Sequence, residues 1–240
     1  MTLPEGPVLA LETSTSAGSV AVGDGDRLLA EVVLSVAGQH SRALMPAIDA
    51  AVRWAGLSPG DLKGVVVGGG PGSFTGLRIG AAAAKGIVHA LDLPLWSYSG
   101  LLATAAGGAA GSDRTVCALF DARRRDVYAA SYRFSAGAEA VEVVSGPEAV
   151  TLDELLDRYR VGEPPLFTGE AALLYREEIR RVLRAPVVPT HLAVPRASSL
   201  LWLAGAVPET GRVKDPGTWE PEYVRASGAE RIAAQRELSG

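Results

Sequence analysis

The chain has a single cysteine, Cys117, in 240 residues. No disulfide can form within it, which fits a reducing compartment. Histidine is nearly as scarce. His40, His89 and His191 are its 3 histidines. No two stand at i, i+4 spacing and no cysteine cluster exists, so the sequence offers no metal-ligand pattern. Basic charge is also short, with 23 Lys and Arg against 27 Asp and Glu, a net charge of −4. Such a surface does not grip nucleic acid unaided, because phosphate contacts need clustered cations. It leaves open an RNA that is the substrate of a larger complex. Met1 to Gly6 carry no basic region, so a secretory leader is not expected. The longest apolar stretch, 79–96, is broken by Lys85, His89, Asp92 and Pro94, too often for a membrane span. The expectation is a cytoplasmic protein without membrane contact.

Apolar residues make up 48% and charged residues 21%. That is enough for a sizeable core in one large domain or two small ones. Strands are expected at 8–12, 19–22 and 27–34, with Asp24-Gly25 as a hairpin turn. Leu44, Ile48, Val52 and Ala55 recur at helical spacing, so a helix capped by Ser41 should run to Trp54, with Pro46 as a kink. A short strand at 65–67 leads through a glycine-rich loop into a helix over 75–90. A strand at 95–98, a helix at 100–110 and a linker at 107–112 follow.

The second half repeats the theme. Strands are expected at 115–120, 127–134 and 141–144, a helix at 152–159, a strand at 166–168 and a helix at 171–183. Leu9-Ala10-Leu11-Glu12 and Ala118-Leu119-Phe120-Asp121 are alike: an apolar strand ending on a carboxylate, then a polar turn and another strand. Two copies of one β-β-β-α-β-α unit are the reading.

The segment Gly68 to Gly80, GGGPGSFTGLRIG, joins strand to helix. Its N–H groups could cradle an anion at the helix start. Its glycines could equally serve a tight turn and close packing. It is not a Walker A loop, since no Gly-Lys-Ser/Thr follows and Lys85 sits mid-helix. Glu12, Thr13 and Thr15 end the first strand; the residues read as a solvated turn, and only by comparison with actin-like ATPases as a place that meets phosphate. With Gly72 and Ser73 they are the candidate nucleotide or anion residues. Asp121, Arg123 and Arg124 form a second candidate loop, for phosphate, a partner, or simply solvent.

These segments, with Leu9 to Ser19 (LALETSTSAGS), Gln39-His40-Ser41, Ala118 to Tyr128 (ALFDARRRDVY) and Pro221 to Arg225 (PEYVR), resemble the TsaB or YeaZ family. The resemblance implies an α/β chain of the actin-like ATPase (ASKHA) fold with two ribonuclease-H-like subdomains. Residues 1–110 would be the first, carrying partner-binding helices; 111–195 a smaller second; 196–240 a C-terminal helix and tail packed back on the body.

It implies a non-catalytic scaffold of the complex that adds threonylcarbamoyl to the adenosine beside the anticodon of tRNAs reading codons that start with A. Its partners would be a TsaD-type catalytic paralogue and a TsaE-type ATPase. The chain would meet tRNA only through the complex and would form a homodimer alone. No cofactor is required of this chain, with at most weak ATP or ADP at the complex interface. The partner surface is expected at His40, Leu44, Ala47 and Ala51 of one helix and Gly76, Gly80 and Ala83 of the other, as an exposed patch.

The paralogue's His-x-x-x-His pair is missing, since the position four residues after His40 is Leu44. In actin-like ATPases an Asp-x-Gly stands where Glu12 and Ser14 stand here. A free-standing ASKHA kinase or ATPase and a glycoprotease-like metallopeptidase are the alternatives. Residues 135–184 carry no motif of the family.

Overall fold

The computed structural model describes residues 5–35, 38–109, 113–135 and 140–224. Strand β1 (Pro7–Glu12) is buried on both faces, with Leu9 and Leu11 turned one way and Val8 and Ala10 the other. A strand apolar on both sides must be covered on both sides. β1 pairs antiparallel with β2 (Gly18–Asp24), which pairs with β3 (Arg27–Leu34). Helix α1 (His40–Trp54) leads to β4 (Gly64–Gly68), which lies parallel to β1. Helix α2 (Phe74–Leu91), strand β5 (Leu95–Tyr98) and helix α3 (Gly100–Ala109) complete the first half. Its sheet order is β3-β2-β1-β4-β5.

The second half begins with β6 (Val116–Asp121), β7 (Asp126–Phe134) and β8 (Val141–Thr151). Helix α4 (Leu152–Arg158), strand β9 (Leu166–Thr168) and helices α5 (Glu170–Leu174) and α6 (Arg176–Leu183) follow. The sheet order is β8-β7-β6-β9, with β6 and β9 parallel. This is the order of the first sheet without its fifth strand. The two halves thus share one strand plan, the actin-like arrangement of paired ribonuclease-H-like units. Helices α7 (Ala197–Ala206) and α8 (Pro208–Gly211) follow, and the described chain runs on to Val224.

Four buried clusters define five layers. α1 and α2 cover one face of the first sheet through Leu44, Ile48, Ala84 and Val88. α7 and α3 cover its other face through Ala103, Leu200 and Leu203. α3 also presents Leu101 and Ala105 to Val116, Ala118 and Phe120 of the second sheet. α4, α5 and α6 cover the far face through Leu152, Ala171 and Ile179. α3 is therefore the shared middle layer, apolar nearly all round because it faces two sheets.

Local expectations differ from the structure in four places. α1 starts at His40 with Gln39 in the capping position and no side-chain cap, so Ser41 lies inside the helix. Pro46 lies inside the helix, and the bond that it cannot donate would fall on the carbonyl of Arg42, an exposed residue. Gly107 and Gly108 belong to α3 rather than to a linker, and 110–112 lie outside the described residues. The strand at 141–144 extends to Thr151, where a Thr151–Glu154 capping box starts α4. The helix at 171–183 is two helices that break at Tyr175.

Candidate functional site

A cleft of about 820 Å³ opens between the halves. The first half contributes Ser14 to Ser16, His40 and Pro71 to Gly76. The second contributes Phe120 to Arg123, Tyr128 and Glu170, with Glu222 to Val224 also in the lining. The two strand-end carboxylates make the same local hydrogen bond. Ser14 N donates to Glu12 Oε1 at 2.6 Å, and Arg123 N donates to Asp121 Oδ1 at 2.9 Å. Each carboxylate thereby fixes the turn two residues on.

Their surroundings differ. Glu12 is fully buried, and its Oε2 has no hydrogen-bond partner among the described residues. Burial pushes its pKa above the usual carboxylate range, opposed by hydrogen bonding from Ser14. Asp121 is only partly buried, with Arg123 Nη1 3.8 Å from Oδ2.

Glycines enclose the Glu12–Ser14 turn. A Cβ on Gly68 would stand 2.3 Å from Glu12 Oε2, and one on Gly72 2.2 Å from Ser14 O. On Gly76 it would be 2.2 Å from Thr13 O, and on Gly80 2.3 Å from Thr13 Oγ1. These glycines admit the first turn against the start of α2. Gly76 and Gly80 therefore face the chain's own β1–β2 turn. Thr13 Oγ1 donates to Gly76 O at 2.8 Å, and Ser73 N donates to Ser14 O at 2.7 Å. Ser73 Oγ caps α2, accepting from Gly76 N at 3.3 Å. Two donors at the helix start are thus spent inside the protein, which favours the close-packing reading over an anion cradle.

His40 is buried, and its Nε2 donates to Thr15 O at 2.9 Å. That bond puts the proton on Nε2 and ties α1 to the first turn. Thr15 is buried, its hydroxyl donating to Ala17 O at 3.1 Å. Ser16 Oγ donates to Glu170 Oε2 at 3.0 Å, a bond that joins the two halves across the cleft. Sequence reading missed this pair, since residues 154 apart carry no local signal. It also missed the packing of Tyr223 on Phe74, with ring centroids 5.1 Å apart, although both residues stand in segments of the resemblance.

The expected exposed patch needs correcting. His40 is buried against the first turn, Leu44, Ala47 and Ala51 are buried in the chain's own core, Gly76 and Gly80 are buried, and Ala83 is half-buried at the core's edge. The small side chains that were to admit a partner helix instead admit the chain's own sheet and turn. Gly80→Leu would strike Thr13 and disturb the fold. The outer faces carry other residues: Met45 and Trp54 on α1, 55% and 66% exposed, and Thr75, Ala82, Gly86 and Ala90 on α2.

The β6–β7 turn is strained. Arg123, Arg124 and Arg125 have φ of 69°, 57° and 66°. Left-handed backbone costs about 1 kcal/mol for each residue bearing a Cβ. Arg125 anchors the turn through Glu178 at 2.9 Å and Asp153 at 3.1 Å. Among the described residues no group of three His, Cys, Asp or Glu side chains could hold a metal ion. Nor is any helix among them long and apolar enough to cross a membrane. Arg225 of the last quoted segment lies outside the described residues.

A family model described as TsaD: tRNA N6-adenosine threonylcarbamoyltransferase matches residues 27–231. The tRNA threonylcarbamoyladenosine biosynthesis protein TsaB of Bacillus subtilis is 31% identical over 226 residues, 93% of this chain and 96% of that protein. A Pseudomonas aeruginosa structure described as similar to peptidase YEAZ superposes with a TM-score of 0.75 at 26% identity, over 92% of this chain and 100% of that one. YeaZ from Pseudomonas aeruginosa gives 0.72 at 26% identity, over 91% and 99%.

Proposed function

The chain belongs to the TsaB (YeaZ-like) family of tRNA threonylcarbamoyladenosine biosynthesis proteins, and from that membership we propose that it is a scaffold that does no chemistry itself. The observation that carries this reading is the closed first turn. Glu12 is buried behind Ser14, glycines seal Thr13 and Ser14, and Ser73 Oγ takes the N–H of Gly76 in the first turn of α2. A phosphate-handling site needs those donors and that carboxylate turned toward ligand. The cleft lining adds Asp121, Glu170 and Glu222 against Arg123, a balance that repels a nucleotide's phosphates.

A TsaD-type catalytic paralogue is the partner, docked on the outer faces of α1 and α2. Met45 and Trp54 offer exposed apolar area, and Ala82, Gly86 and Ala90 let a helix approach closely. The same faces make a homodimer when the paralogue is absent. A TsaE-type ATPase joins the assembly, ATP or ADP binds at most weakly at its interface, and tRNA reading A-starting codons is reached through it.

Two measurements test this. Ala82→Glu with Gly86→Leu should weaken assembly with the paralogue at least tenfold while leaving circular dichroism unchanged; equal affinity would reject the docking face. Titration of the isolated chain with ATP should give weak binding or none. Tight binding with turnover would favour the ATPase reading.

A further inference from the structure

Three successive arginines in left-handed backbone are unfavourable, and Gly or Asn would make the same turn at less strain. Arg125 accounts for itself, since its guanidinium clamps Asp153 at the start of α4 and Glu178 in the first turn of α6. Its carbonyl also accepts from Leu152 N at 2.9 Å. The other two have no such task. The Arg123 side chain is 88% exposed, with Asp121 at 3.8 Å as its ion-pair partner. Arg124 is exposed and has no hydrogen bond or ion pair among the described residues. Two neighbouring guanidiniums are therefore held out to solvent on a stiffened loop beside the cleft.

Guanidinium groups match phosphate oxygens in fork geometry. A loop already fixed by Arg125 loses little freedom on binding. We propose that Arg123 and Arg124 contact the phosphodiester backbone of RNA. The cleft carboxylates Asp121, Glu170 and Glu222 repel a polyanion from the interior, so the contact lies at the rim, where Arg123 borders the cleft and Arg124 stands outside its lining. Two contacts on a chain of net charge −4 give little affinity alone, and they act when an assembly holds the RNA. The inference rests on the reading that this chain works within a tRNA-modifying complex.

The test is the double variant Arg123→Asn with Arg124→Asn. Asparagine tolerates left-handed backbone, so the turn is kept while both charges go. tRNA binding by the assembled complex is read by fluorescence anisotropy at several salt concentrations, and assembly by size-exclusion chromatography on the same samples. The variant should assemble normally, bind tRNA about 5- to 20-fold more weakly, and lower the slope of log K against log salt by about 1 to 2. Unchanged tRNA affinity and slope would overturn the assignment. So would lost assembly with unchanged tRNA affinity, which would make the loop a protein contact. If the wild-type chain does not bind the TsaD-type paralogue at all, the scaffold reading fails. The same titration on the isolated chain at low salt then decides the arginines, again by whether the variant loses affinity and slope.

Discussion

The two halves place a carboxylate at the end of the same strand and use it for the same i to i+2 hydrogen bond, yet one turn is sealed and the other open. Around Glu12 the turn is roofed by glycines from β4 and α2. Around Asp121 it projects as a strained arginine loop held from the side by α4 and α6. One duplicated plan has become a packing element in one half and a presenting element in the other. What differs is what surrounds each strand end, while the strand order is common to both.

Filling the sealed turn should break the comparison most. Gly76→Val puts a branched side chain where a Cβ already meets Thr13 O at 2.2 Å. A loss of about 3 kcal/mol or more is expected in urea unfolding. Gly86, outward on the same helix with nothing within 4 Å, should accept alanine with a gain of about 0.5–1 kcal/mol. Equal effects at the two positions would mean the turn is not sealed.

The next effect is on pH dependence. Burial raises the Glu12 pKa in the folded state, so the folded protein holds that proton more tightly than the unfolded chain. Its contribution is fully present below the ordinary glutamate pKa and is lost as pH rises through the raised folded value. Glu12→Gln keeps a carbonyl for Ser14 N and removes the ionisation. The stability of the variant relative to wild type should therefore increase as pH rises from 4 to 8. A constant difference would show that Glu12 is not penalised by burial.

In the open turn, Asp121→Ala removes one hydrogen bond from a partly exposed group and should cost less than about 1 kcal/mol. A larger loss would make the second turn as structural as the first. The smallest signal is expected from Cys117, buried on β6 with its thiol pushed up to about 11 by burial. It should resist a thiol reagent at pH 8 until the protein unfolds. Rapid labelling of the native chain would show that the second half's openness extends into its core.

The duplication was legible because strand alternation and terminal carboxylates are local patterns. Leu9, Leu11, Leu119 and Phe120 announce it before any contact is known. The glycine run was legible as a strand-to-helix joint, but its role was not, since what roofs Thr13 and Ser14 is settled only when α2 meets β1. The helix stripes misled for the same reason. Ala47, Ala51, Gly76 and Gly80 are small in order to admit neighbours, and spacing alone does not say whether the neighbour is a partner or the chain itself. Ser16 and Glu170 meet only through the tertiary fold.

The most direct test is modification activity with purified components. This chain, the threonylcarbamoyl adenylate and tRNA should yield no modified nucleoside by mass spectrometry. Adding the TsaD-type paralogue and the TsaE-type ATPase should restore it, and omitting this chain from that mixture should reduce it sharply. Modified nucleoside formed by this chain alone, or activity indifferent to its omission, would contradict the scaffold account.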